Sequence, residues 1–244
     1  MAGLVLAAGA GVRMMPLSRL RPKALMPLGR STLVDQAIAR VRQCTPHIIV
    51  NVHHGLQAMS EHLEGRVALS IEGEPGLGTA GGVARAAAFL DGRAAVVVNA
   101  DTWSPGDLGP VVDGWDHERV RVVVAGDPAL TPRSRIVASM MPWSAVVAVP
   151  EGPSGLYEVC WAPLAEAGQL DVVGWDGPVI DCATPRDLLT ANLVASRGQS
   201  VIGDGALVEG RTIRTVVWPG AHVWPAETLV DAIRTDADVT VLVR

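Results

Sequence analysis

The sequence predicts an α/β fold with a mostly parallel sheet covered on both faces, followed by a short β-rich tail. Three observations lead there. Apolar runs bounded by turn residues alternate with segments of helical period over residues 1–197. A glycine-rich turn follows the first apolar run directly. Beyond Gln199 the helical period stops, and apolar or β-branched residues recur about every six positions among glycines.

Gly3–Leu6 reads as a short buried strand, and Ala7-Ala8-Gly9-Ala10-Gly11-Val12-Arg13-Met14 follows it. Further strands are predicted over Ile48–Val52, Val67–Ile71, Ala94–Asn99, Val120–Val124 and Leu170–Val173. Helices are predicted over Leu33–Gln43, Leu56–Leu63, Gly81–Phe89, Leu108–Trp115, Tyr157–Ala167 and Pro185–Ser196. In such a sheet ligands lie beyond the carboxyl ends of the strands, where the glycine turn, Asp101 and Asp181 would all fall. The tail, residues 198–244, carries Ser200–Gly210, Val216–Val223 and a closing strand at Val239–Val243. It has too few repeats to bury its own apolar face, so Trp218 and Trp224 are expected to be covered by the first domain or by another subunit.

The bulk properties bound the function. A chain of 244 residues, 49% hydrophobic, can hold one full α/β domain and a small appendage. A net charge of −5 gives no general affinity for nucleic acid or an anionic membrane. No apolar run reaches spanning length, and a first strand beginning at Gly3 leads us to expect no secretory leader. Three cysteines without metal-ligand spacing are expected to be reduced, in a cytoplasmic protein. The scattered histidines, including the His53-His54 pair, read as loop residues rather than ligands.

One residue stands out. The chain has a single lysine, Lys23, among nineteen arginines, in Arg21-Pro22-Lys23-Ala24-Leu25-Met26-Pro27. A guanidinium fork does not replace a compact ammonium where one oxygen must be met head-on, so Lys23 is a chemical candidate. The glycine turn lets backbone N–H groups approach anionic oxygens closely, and Arg13 adds a bidentate phosphate donor. The turn is not a P-loop, because no Gly-Lys-Ser/Thr ends it. Nor is it a dinucleotide fingerprint, since the third glycine is missing and Pro16 blocks an early helix.

Taken together, Leu6–Met14, Pro16-Leu17 and Arg21–Leu28 resemble the signature of the sugar-1-phosphate nucleotidylyltransferases, the nucleotide-sugar pyrophosphorylases. The likeness continues through Leu77-Gly78-Thr79-Ala80-Gly81-Gly82, Val98–Asp101 and Ile180–Pro185, spanning about residues 3–197. It implies a Rossmann-like nucleotidyltransferase domain with a short left-handed β-helix-like extension. It also implies that a nucleoside triphosphate and a sugar-1-phosphate are joined with release of pyrophosphate, in the presence of magnesium.

By the same resemblance Leu6, Ala7, Ala8, Gly9, Gly11, Arg13 and Lys23 bind the nucleotide. Arg13, Lys23 and Asp101 act in catalysis, and Asp101 and Asp181 hold the metal. Gly78, Thr79 and Ala80 would open a flat slot against base and ribose, and Thr79 would also cap the helix that follows. Glu74 stands where acidic or amide side chains read the base, although Gly76 looks like an insertion. Guanylyl, uridylyl and thymidylyl members carry similar strings, so the motif does not select a base. The family's second lysine is missing, which leaves Arg133, Arg135 and Arg186 as candidates on the sugar phosphate. The stretches Ser139–Trp143 and Gly155–Glu158 fall in the family's sugar-side region. Monomer and homodimer are both compatible with this reading. Its alternatives are transfer to a non-sugar phosphate such as phosphocholine, and a non-catalytic regulatory homologue. A related-fold glycosyltransferase is disfavoured because Asn99-Ala100-Asp101 is not an Asp-x-Asp motif.

Overall fold

A computed structural model of the protein describes residues 1–243. Its centre is a seven-stranded sheet made of β1 (Ala2–Leu6), β2 (Ile48–Val52), β3 (Ala68–Ile71), β4 (Ala95–Asn99), β5 (Arg121–Ala125), β6 (Ile136–Met141) and β7 (Asp171–Trp175). The order across the sheet is β7-β5-β6-β4-β1-β2-β3. All neighbours are parallel except at β6, which runs antiparallel to both β4 and β5. β1, β2 and most of β4 are buried on both faces, which is why their sequences are continuous apolar runs. The helices α1 (Leu33–Arg42), α2 (Leu56–Leu63) and α3 (Gly78–Leu90) contribute to buried clusters on either side of the sheet.

Local sequence explains the helix starts. Thr32 accepts from the Asp35 amide while Asp35 reaches back to the Thr32 amide, a capping box that fixes the start of α1. Thr184 and Asp187 repeat the device at the helix Pro185–Ala195, where Pro185 occupies a position that needs no N–H donor.

Three expectations are corrected. The strand β6 was not foreseen, and neither was the helix Trp143–Ala148 that follows it. The predicted helix Tyr157–Ala167 divides into a wider π-helical turn, Tyr157–Trp161, and an α-helix, Ala162–Glu166. Pro163 cannot donate to the preceding turn and its ring needs room there, which accounts for the change in winding. Helix α3 begins at Gly78 with Leu77 at its cap position, so Thr79 is not the cap. Its hydroxyl instead accepts from the Leu156 amide at 2.8 Å.

The tail pairs Val201–Ile202, Arg211–Val217 and Thr228–Arg234 in parallel, and closes with antiparallel Thr240–Leu242. A second pair, Leu207–Val208 and His222–Val223, is also parallel. The tail is not free. Val216, Val217, Trp218, Ala221 and Ile233 share one buried cluster with Met14, Leu17, Met26, Leu28 and Leu188. Trp218 is fully buried, whereas Trp224 remains about half exposed. Trp218→Ala is therefore expected to destabilise the fold by about 3–5 kcal/mol, read by chemical denaturation. A loss under about 1 kcal/mol, in the range of surface substitutions and mild core changes, would show that this ring does not hold the tail down.

Candidate active site

A concavity of about 530 Å³ opens beyond the carboxyl ends of β1, β2, β3 and β4. Its walls come from the turn after β1 (Ala7, Ala8, Gly9, Ala10), from Lys23, and from residues following the other three strands. Of the residues singled out in the sequence, Leu6, Ala7, Ala8, Gly9, Lys23, Glu74, Gly78, Thr79 and Asp101 line it.

Three do not. Ala80 is fully buried and its amide donates to the Ser154 carbonyl, so it supports α3 from below and faces no ligand. Arg13 is exposed on a short 3-10 turn outside the lining. Gly11 also stands outside it, at φ +64°, where an added Cβ would lie 3.0 Å from the Lys23 Cβ. That closeness makes Gly11 a packing partner of the base of the Lys23 side chain. Gly81 and Gly82 likewise open no slot: added Cβ atoms would lie 2.4 Å from the Gly152 carbonyl and 2.7 Å from Asn51 Nδ2. They let α3 close against its neighbours.

The floor of the cleft is a chain of polar bonds that sequence reasoning missed. The Ala7 amide donates to Asn51 Oδ1 at 2.6 Å, and Asn51 Nδ2 donates to Glu72 Oε1 at 2.7 Å. Glu72 Oε2 then accepts from the Leu77 amide at 3.0 Å. Both side chains are buried, so these bonds satisfy groups that would otherwise be costly, and they tie the glycine turn to the loop before α3. The signal was present: an asparagine inside the apolar run Ile48–Val52 must find partners. His53 sits beside this floor with Nε2 3.3 Å from Glu74 Oε1, and the His53 and His54 ring centroids are 4.4 Å apart. The pair read as plain loop residues thus lines the cleft with Glu74.

Charge gathers at one end. Lys23 Nζ donates to Asp101 Oδ2 in an ion pair. Asp181 lies next to it, because Ile180–Asp181 pairs antiparallel with Thr102–Trp103 and the Cys182 amide donates to the Asp101 carbonyl at 2.8 Å. Two aspartates 80 positions apart in the chain are thereby brought onto neighbouring strand ends, close enough for the charge of Asp101 to act on Asp181. Burial pushes the Asp181 carboxyl above its ordinary range and the charge of Asp101 adds to the rise. A 2.7 Å bond from the Thr102 hydroxyl opposes it, as do the charges of Arg135 and Lys23. Beneath them Arg40 donates to the Thr102 and Val137 carbonyls, and its burial depresses the guanidinium to about 10. Among the described residues no cluster of three or more His, Cys, Asp or Glu forms a closed metal cage. Two aspartates with open coordination fit magnesium, which keeps waters and bridges phosphates instead of demanding an all-protein cage.

A second recess of about 250 Å³ adjoins through Leu6, Thr79 and Asn99. Ser139, Leu156, Tyr157 and Glu158 line it, whereas Met140 and Met141 of the same predicted region are buried in β6. Arg133 and Arg186 are exposed away from both concavities, and only Arg135 lies near the carboxylates.

Residues 3–200 match the model of the MobA-like NTP transferase domain. The chain belongs to this family. Among its relatives are N-acetylmuramate alpha-1-phosphate uridylyltransferases. That from Caulobacter vibrioides is 35% identical over 49% of this chain and 54% of its own length. That from Neisseria meningitidis is 36% identical over 41% and 47%. The chain thus spans about half the length of these two relatives. Mannose-1-phosphate guanylyltransferase of Mycobacterium tuberculosis is 25% identical across 96% of this chain and 79% of that protein. Among solved structures, a Bacillus anthracis protein assigned as a glucose-1-phosphate thymidylyltransferase superposes with a TM-score of 0.70. That superposition has 18% identity and covers 80% of this chain and 95% of that one, which establishes the likeness of fold. No helix among the described residues of this MobA-like chain is long and apolar enough to cross a membrane.

Proposed function

We propose that the protein transfers a nucleoside monophosphate from a nucleoside triphosphate to a sugar-1-phosphate, releasing pyrophosphate, with magnesium as cofactor. The observation that carries this reading is the position of Lys23. The only lysine of the chain is paired with Asp101 at the wall of a cleft that also holds the glycine turn. In this reading the turn's N–H groups and Arg13 receive the triphosphate, Arg13 from outside the cleft toward the leaving end. Lys23 leaves Asp101 for the α-phosphate, where charge grows as the acceptor oxygen attacks phosphorus and the bond to pyrophosphate breaks. Asp101 and Asp181 would hold magnesium, which supplies charge neutralisation on phosphate oxygens. Glu74 and His53 face the base, the recess at Tyr157 and Glu158 takes the sugar, and Arg135 approaches its phosphate.

We read residues 1–197 as the catalytic domain and 198–244 as a short β-helix-like extension, a division supported by the stacked parallel pairs of the tail. The reading places the enzyme in the cytoplasm, in nucleotide-sugar synthesis. A pyrophosphate-release screen crossing ATP, CTP, GTP, UTP and dTTP with a panel of sugar-1-phosphates tests it. Release dependent on both substrates is expected. Release without an acceptor, or none with any pair, would contradict the proposal.

The Asp181 environment adds a pH expectation. Its carboxyl is raised and must be ionised to hold a cation, so activity should fall as pH drops through that raised value. Thr102→Val removes the hydroxyl that favours the charged form. The acid limb of the kcat/KM profile should then move to higher pH, and an unmoved limb would take Asp181 out of the metal site.

A further inference from the structure

We infer that the C-terminal tail is a positioning element for Lys23, acting through a clamp formed by Arg21, Trp218 and Asp236. The inference rests on the proposed role of Lys23 and concerns how that residue is held. Arg21 lies two positions before the lysine, separated only by Pro22, whose fixed φ stiffens the connection. Its guanidinium is placed 4.8 Å from the centroid of the Trp218 ring, within cation–π range. The same group donates to Asp236 Oδ2 at 3.2 Å. Both partners belong to the tail and are about two hundred positions away in sequence.

The rest of the segment is fastened too. Met14, Leu17, Met26 and Leu28 are buried in the cluster that contains Trp218. Asn192 accepts from the Gly29 amide at 2.9 Å and donates to the Pro27 carbonyl at 3.1 Å. On the cleft side Gly11 packs against the Lys23 Cβ. The lysine backbone is therefore gripped between the glycine turn and the tail, while its ammonium reaches Asp101. None of the tail residues lines the cleft, so any effect they have on chemistry must pass through this segment.

The single lysine makes the clamp observable without turnover. Protein grown with 13C-labelled lysine gives one side-chain Cε signal, that of Lys23. In the full chain, Asp236→Ala is expected to shift or broaden this signal and to lower kcat about fivefold, the scale of one partly exposed ion pair. The melting temperature and the KM for the acceptor should stay near native. Asp236→Glu, which keeps the charge, should restore both signal and rate. A lysine signal and kcat that are unchanged in Asp236→Ala would overturn the inference. So would a lowered melting temperature with native kinetics, which marks a merely structural contact. Because the lysine signal is read without substrates, failure of the clamp is distinguishable from failure of the proposed reaction.

Discussion

Lys23→Ala is expected to lower kcat by about a hundredfold or more, the scale of removing one preorganised charge from a developing transition state. The expectation comes from the pairing of Lys23 with Asp101 beside the glycine turn. The carboxylate holds the ammonium in place; in the proposed reaction the α-phosphate would become its partner. Removing the ammonium also leaves Asp101 next to Asp181 without a counter-charge, so the variant should bind divalent cation at least as well while turning over poorly. That divergence separates loss of chemistry from loss of folding. Lys23→Arg should be poor as well, because the fork cannot make a point contact in a site tightly packed by Gly11. Near-native turnover in the arginine variant, measured by pyrophosphate release, would refute the role.

Asp101→Asn should abolish magnesium-dependent activity while the protein remains folded. The amide keeps the shape of the side chain, and the backbone contact from Cys182 to the Asp101 carbonyl does not depend on the carboxylate. One charge is lost that serves two purposes: it pairs with Lys23 and, in the proposed reaction, would hold the metal. Activity should vanish with a chelator in the wild type and return on adding Mg²⁺. Metal-stimulated turnover persisting in Asp101→Asn would place the ion elsewhere.

Much of this was legible in the sequence because the relevant segments are local. The apolar runs of β1, β2 and β4 and the turn after β1 state their burial and their backbone freedom without reference to distant residues. What was hidden depended on long-range packing. Strand β6 carries Ser139 among its apolar residues, is followed at once by Pro142, and enters the sheet antiparallel without the helical crossover that marks its neighbours. Asn51, inside an apolar run, announced a need for partners; only the fold shows that one of them is Glu72 and that the pair bridges two loops. Thr79 fitted a capping pattern, yet its partner is an amide 77 positions away. The β-branched and apolar residues of the tail pointed to short strands, whereas its grip on the Arg21–Lys23 segment needed the three-dimensional neighbours of Trp218.

The central claim is that Lys23 exchanges Asp101 for an α-phosphate at a site where Asp101 and Asp181 share one magnesium ion. The most direct measurement is a crystal structure with Mg²⁺ and a nucleoside triphosphate analogue bridged by methylene between the α and β phosphorus atoms. The account expects Lys23 Nζ within hydrogen-bond reach of an α-phosphate oxygen, and both carboxylates on one ion at about 2.1 Å. A triphosphate bound away from the glycine turn, or carboxylates more than about 10 Å apart and so beyond any shared ion, would contradict it.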